Sequence, residues 1–269
     1  KDELDPERVR KRIIKVVQSE NFEIDWMSIY KFKCASIDRM VFDRIIFVGD
    51  SAHVVSPFGA RGGNGGMHDV DNLGWKLAAI LKNDSSTKIL NTFNDERIKA
   101  AKENIANSSR ATNFMTPKNK MAKAFRDQVL DLSVNNQFFR NIINSGRLSV
   151  PFKLSGLRLD NEYRDDPLLG SIYVDFPILD RKGNRLFLTD VIANSYNLLS
   201  FSKIKIEFPF NLNIISVGEE NNEDFDFLDF EGKGLERYRA DLNYLIRPDG
   251  YIVGIFKEIN ISALEECML

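Results

Sequence analysis

Cysteine and histidine are both scarce in this chain. Its 269 residues contain two of each: Cys34, Cys267, His53 and His68. Two cysteines far apart exclude a disulfide framework, and a reducing cytoplasm is the expected setting. With two histidines and no clustered cysteines, no metal site is expected. A C-x-x-C is absent, which excludes dithiol redox chemistry of the thioredoxin kind. No apolar run is long enough to span a bilayer, so no membrane association is expected. The formal net charge is only −2, which gives no reason to expect a nucleic-acid partner. Upstream of residue 44 there is no G-x-G-x-x-G after a strand and no acidic residue placed to hold a ribose. The first residue is Lys, and the chain reads as the C-terminal piece of a longer polypeptide.

What is present is ordinary for a globular protein, 43% hydrophobic and 28% charged, with room for one large or two ordinary domains. Residues 4–18 read as an amphipathic helix with Pro6 in its first turn and Arg8, Arg10, Lys11, Arg12 and Lys15 on the polar face. That basic cluster reads as a solvated face rather than a nucleic-acid patch. Phe22 to Lys33 reads as a strand carrying Trp26, Ile29, Tyr30 and Phe32.

The chain is organised around residues 44–82. Arg44 to Val48 is a short β-branched and aromatic run, which predicts a buried strand. Gly49-Asp50 ends it. A loop follows with Pro57 and five glycines: Gly59, Gly62, Gly63, Gly65 and Gly66. Asn64 is the candidate N-cap of a helix whose apolar spacing is Met67, Val70, Leu73 and Leu77. A strand, a Gly-rich loop and a helix start bring backbone N–H groups and the positive end of a helix to one point, which suits an anionic or electron-rich ligand. Asp50, at the carboxyl end of the strand, can accept hydrogen bonds from ligand hydroxyls.

The ordered string Gly49-Asp50-Ser51-Ala52-His53, Pro57, Gly62-Gly63-Asn64-Gly65, Asp69 and Asn72-Leu73-Gly74-Trp75-Lys76-Leu77 resembles the second FAD motif of the aromatic-compound monooxygenases, the phenol hydroxylase and p-hydroxybenzoate hydroxylase group. Ser56 just before Pro57 and the extra glycines depart from that pattern. The resemblance implies FAD as cofactor, NAD(P)H as co-substrate and a small aromatic or phenolic substrate. It implies a role for Asp50 on the ribityl chain and for Pro57 against the flavin ring. Gly49 belongs to the same motif, and the backbone of Gly62, Gly63, Asn64 and Gly65 would face the pyrimidine edge of the flavin. It names no catalytic residue. His53 is expected to pack the loop rather than act as a base. Arg61 stays open between the ligand and solvent. Trp75 and Lys76 are expected as a core and a snorkelling surface position.

Farther along, a helix is expected from about Lys88 to Ser109, capped by Asp84 to Thr87 and carrying Phe93, Asp95, Glu96 and Arg97 in a packing role. A helix from Pro117 to about Leu132 and a short one from Phe138 to Ile143 should follow, in a region the resemblance places at subunit contacts, so a homodimer is possible. From about Asp166 the pattern turns to short strands: 170–176, 185–188, 197–201, 212–217, 242–247 and 251–256. Leu235 to Ala240 reads as the end of a helix. The acidic run from Glu219 to Glu231 reads as a solvated loop. Arg247-Pro248-Asp249-Gly250 reads as a hairpin turn. The stretch Tyr244 to Ile252 resembles the signature of that family's thioredoxin-like C-terminal domain. The expected fold class is therefore α/β: a partial, Rossmann-like FAD-binding domain with the end of a substrate sheet (1–115), a helical linker (116–165) and a thioredoxin-like domain (166–269). Alternatively, the chain is an inactive module for binding or oligomerisation. Alone, it should be inactive and bind FAD poorly.

Overall fold

The computed structural model describes residues 4–82, 85–143, 151–155, 163–204, 206–219 and 224–268. Asp84 of the expected cap, residues 144–150 and 156–162 of the expected linker and residues 220–223 of the acidic run lie outside these.

Helix α1 (Pro6–Val17) starts where Asp5 accepts a hydrogen bond from the Glu7 N–H and proline takes the first helical position. It buries no residue. The stretch from Phe22 to Lys33 is not the expected strand. It has no regular structure, and Trp26 and Tyr30 are exposed. Its alternating aromatics find no sheet partner among the described residues, and a strand needs one.

Two short ladders follow. Strand β1 (Ala35–Ser36) pairs with β4 (His53–Val54), and β2 (Val41–Phe42) pairs with β3 (Ile45–Ile46), both antiparallel. The predicted buried strand at 44–48 is thus only two residues long, with Ile45 exposed. Helix α2 (Arg61–Leu81) packs along α3 (Ile89–Met115) over a small core of Met40, Val41, Ala52, Phe93, Ile98 and Ala101. Helices α4 (Lys120–Ser133) and α5 (Gln137–Ile143) form a hairpin close to the expected positions. Asn119, not Pro117, caps α4, accepting from the Ala122 N–H at 2.8 Å.

The rest is a seven-stranded sheet: β5 (Pro177–Asp180), β6 (Arg185–Phe187), β7 (Tyr196–Ser200), β8 (Leu212–Gly218), β9 (Phe227–Leu228), β10 (Asn243–Ile246) and β11 (Ile252–Phe256). A short helix, α6 (Leu188–Val191), follows β6, and α7 (Ile261–Cys267) closes the chain. The order is β11-β10-β7-β8-β9-β5-β6. Strands β7 and β8 are parallel, and β10 and β11 extend them antiparallel, in keeping with the thioredoxin-like expectation. The β7–β8 crossover, however, has no helix in its described residues, and Leu235–Ala240 forms turns rather than a helix end. The expected strand at 170–176 reduces to one bridge, Ile172 to Tyr251, and the strand itself begins at Pro177.

Strand β10 is buried along its whole length. Tyr244 and Ile246 face one core and Leu245 the other, as strand alternation requires. The second core also takes Trp75 of α2, whose ring meets Tyr196 edge-on at 6.1 Å. Helix α2 therefore packs against both α3 and the sheet.

Candidate flavin site

The site starts from a turn. Gly49, at φ +57°, opens a 3-10 turn, Gly49–Ser51, directly after β3. Ser51 closes it, its hydroxyl donating to the Val48 carbonyl at 2.7 Å and accepting from the Val48 N–H at 3.2 Å. Asp50 projects from this turn and is exposed. The turn rests on the start of α2, so tightly that a Cβ on Gly66 would stand 3.4 Å from the Gly49 Cα. Glycine at both positions lets backbone meet backbone there.

Helix α2 begins at Arg61, earlier than expected. Ala60, at φ +49°, occupies the N-cap and offers no side-chain hydrogen bond. Asn64 is not the cap. It lies within the first turns, and its amide donates back to the Ala60 carbonyl at 2.9 Å. Gly62, Gly63 and Gly65 are accordingly helical. The first-turn N–H groups have no capping side chain and no acidic neighbour in their turn, and Gly63 and Asn64 there are exposed, so the positive helix end is not neutralised from within the turn. A Cβ placed on Gly63 would meet nothing within 4 Å, which leaves the backbone open to close approach by a planar ligand. Pro57 is exposed in the loop that leads into the helix. An FAD isoalloxazine fits this arrangement: uncapped first-turn amides, an exposed Gly63, and the exposed Asp50 carboxylate on the turn that rests against Gly66.

The buried face of α2 departs most from the sequence reading. Met67 and Val70, expected on an apolar inner face, are 72% and 59% exposed. The buried residues are Arg61, Gly65, Asp69, Asn72 and Lys76. Arg61 donates to Asn104 at 3.1 Å, which decides its open assignment against solvent. Asp69 is fully buried and accepts three hydrogen bonds: from His53 Nε2 at 2.7 Å, from Arg97 Nε at 2.7 Å and from the Gly49 N–H at 2.9 Å. One carboxylate thus ties the turn, the loop and two helices together. Burial alone would raise its pKa, but His53, Arg97 and the Gly49 N–H hold it below the ordinary carboxylate value. His53 packs the loop, as expected.

One turn farther on, Asn72 donates to Glu96 at 2.8 Å and to Asp249 at 2.9 Å, and accepts from Lys76 Nζ at 2.9 Å. Lys76 also reaches Glu96, at 3.1 Å, and is fully buried, so it is no snorkelling surface residue. Arg247 completes the cluster with paired bonds to Glu96 (2.8 and 3.0 Å) and to Asp249 (2.7 and 2.8 Å). Two cations and two carboxylates balance. Burial pushes the Lys76 ammonium down to about 8, against the pull of Glu96. For Glu96, burial is outweighed by Arg247, Lys76 and Asn72, which bring it to about 2. Glu96 and Arg97, read from the sequence as packing residues, are the partners of both clusters. A cue was available: Gly65, Asp69, Asn72 and Lys76 are spaced to share one helix face.

A cleft of about 940 Å³ separates the outer face of α2, at Asp71, Gly74 and Trp75, from Tyr196, Phe210 and Asn211 beside the sheet. It does not include Gly62–Gly65. Among the described residues no group of His, Cys, Asp and Glu could hold a metal ion, and no helix is long and apolar enough to cross a membrane.

Residues 1–108 match the protein family described as FAD binding domain. The 3-(3-hydroxy-phenyl)propionate/3-hydroxycinnamic acid hydroxylase of Escherichia coli (strain K12 / DH10B) is 32% identical over 126 residues. These residues are homologous to the FAD binding domain of aromatic hydroxylases. The match covers 46% of this chain and 23% of the relative, so the chain spans about a quarter of the curated relatives it matches. In fold, the chain is similar to a ternary complex of aklavinone-11 hydroxylase with FAD and aklavinone (TM-score 0.70, 20% identity, 98% of this chain and 50% of that one). It is also similar to OxyS anhydrotetracycline hydroxylase from Streptomyces rimosus (TM-score 0.66, 22% identity, 93% and 49%). The turn at Gly49 and the start of α2 lie within the matched residues 1–108.

Proposed function

We propose that residues 44–82 hold the flavin ring of FAD in a monooxygenase that hydroxylates a small aromatic or phenolic molecule with NAD(P)H and O2. The observation that supports this best is the uncapped start of α2 against the Gly49 turn, within residues 1–108 that match an FAD binding domain. The chemistry FAD supplies when bound is reduction by NAD(P)H followed by activation of O2. In this reading the protein binds and orients. Asp50 accepts from a ribityl hydroxyl, Pro57 lies against the ring, and Gly49 lets the turn close on α2. The backbone around Gly62, Gly63, Asn64 and Gly65 faces the pyrimidine edge, where the first-turn N–H groups of Gly62 and Gly63 and the positive helix end stabilise negative charge. The inactive-module alternative is not favoured, since residues 1–108 match an FAD binding domain and 126 residues of the chain are 32% identical to a hydroxylase.

The same reading divides the chain into a partial FAD-binding unit (1–115), a helical linker (116–165) and a thioredoxin-like unit (166–269), and sets it in the cytoplasm. Exposed Met121, Phe125 and Phe138 on α4 and α5 support a homodimer contact there. Sedimentation of the whole protein tests the dimer. FAD fluorescence quenching followed by NADPH oxidation with phenolic substrates tests the function. Failure to bind FAD under any condition would overturn it.

A further inference from the structure

We propose that Arg247 and Asp249, in the hairpin turn of the C-terminal sheet, are positioning residues for the flavin loop, acting through Asn72 and Lys76 of α2. The inference rests on the flavin reading above. Asp69 fixes one point of α2 by its bonds to His53, Arg97 and the Gly49 N–H. On the N-terminal side of Asp69 the helix is held by Arg61 to Asn104; on its C-terminal side the anchor is the Asn72 amide, which bonds Asp249 across 177 residues of sequence and Glu96 across 24. Arg247 grips both carboxylates from the sheet side.

Gly63 lies six residues before Asp69, about 9 Å along the axis at 1.5 Å per residue. A helix free to pivot at Asp69 by about 6° would move the first-turn amides by about 1 Å, the scale of misplacement at which positioned chemistry loses about 100-fold. The turn holds this grip rigidly. Gly250 N–H donates to the Arg247 carbonyl at 2.8 Å, the Arg247 N–H donates to the Tyr251 carbonyl at 2.8 Å, and the Arg247 guanidinium lies over the Trp75 ring at 5.3 Å. The cluster is neutral and enclosed, so removing one member strands the others.

The test is Arg247→Met in the whole protein, with FAD affinity and amide hydrogen exchange along 69–80 measured together. The expected result is an FAD dissociation constant raised about tenfold or more, the usual scale of site-to-site coupling. Exchange should quicken along α2 and stay unchanged at Leu198 and Ile215 in the sheet, and Arg247→Lys should recover part of both effects. Unchanged α2 exchange and FAD affinity would overturn the proposal. So would equal loss of protection in α2 and the sheet, which would mean that the turn supports only its own hairpin. If Arg247→Met does not fold, Asp249→Asn, which keeps size and shape, carries the same comparison. If the wild-type protein binds no FAD, the flavin reading fails, and the exchange comparison alone decides the coupling.

Discussion

Replacing Asp69 with alanine should destabilise the FAD binding domain more than any other single substitution in α2. The side chain is fully buried and accepts from His53, Arg97 and the Gly49 N–H. Its loss leaves Arg97, only 3% exposed, bonded to the Gly65 carbonyl at 3.3 Å and without its carboxylate partner. Stranding one partner of a buried ion pair costs about 3–5 kcal/mol. That is a fifth or more of the stability of a typical domain, about 5–15 kcal/mol. For a chain of this size it should lower the melting temperature by about 10 °C. Asp69→Asn should lose less, since the amide oxygen can still accept. The assay is thermal unfolding followed by near-ultraviolet circular dichroism. A pH series adds a check on sign. Because the folded pKa is lowered, the wild type gains stability from Asp69 above the ordinary carboxylate value and loses it as pH falls through the folded value. The alanine variant should lack that part of the acid sensitivity. A loss in Asp69→Ala below about 1 kcal/mol, ordinary for a surface site, would refute the reasoning.

Lys76→Met should alter the alkaline limb. With the folded ammonium at about 8 and the ordinary lysine value at 10.5, the unfolded chain binds more protons between those values, so Lys76 makes stability rise across that window. The difference between wild type and Lys76→Met in denaturant titrations should follow that rise. Glu96→Gln should instead flatten the acid limb, since Glu96, at about 2 when folded against an ordinary 4.5, contributes stability above 4.5 that is lost toward pH 2. A pH series of unfolding midpoints checks it. Gly63→Ala should leave the fold as stable or slightly more so, by about 0.5–1 kcal/mol for alanine over glycine in a helix, while weakening FAD binding measured by fluorescence.

The elements with strong local signals were legible in the sequence. Asp5-Pro6 opened α1, Arg247-Pro248-Asp249-Gly250 gave the hairpin between β10 and β11, and α3, α4 and α5 lay near their predicted spans. The motif string located the Gly49 turn and the start of α2. What the sequence hid was which side of α2 faces inward. Periodicity chose Met67 and Val70 because apolar faces usually pack. Here the buried face is carried by Asp69, Asn72 and Lys76, whose partners at 96, 97 and 249 become neighbours only in the folded chain. The strand expected at 22–33 failed for the opposite reason: its alternation was local, and a strand depends on a neighbour. The Leu235–Ala240 helix gave way to turns in which Tyr238 is bonded instead to Val174. The domain limits and ligand roles came from resemblance and stand as proposals.

The most direct test of the central claim is an FAD titration of this 269-residue chain followed at individual backbone amides by NMR. The account predicts weak binding, because the chain carries no G-x-G-x-x-G unit for the adenosine end, with shifts concentrated at Gly49, Asp50 and Gly62 to Gly65. Unmoved amides at those positions while FAD binds elsewhere, or no response at all, would contradict it.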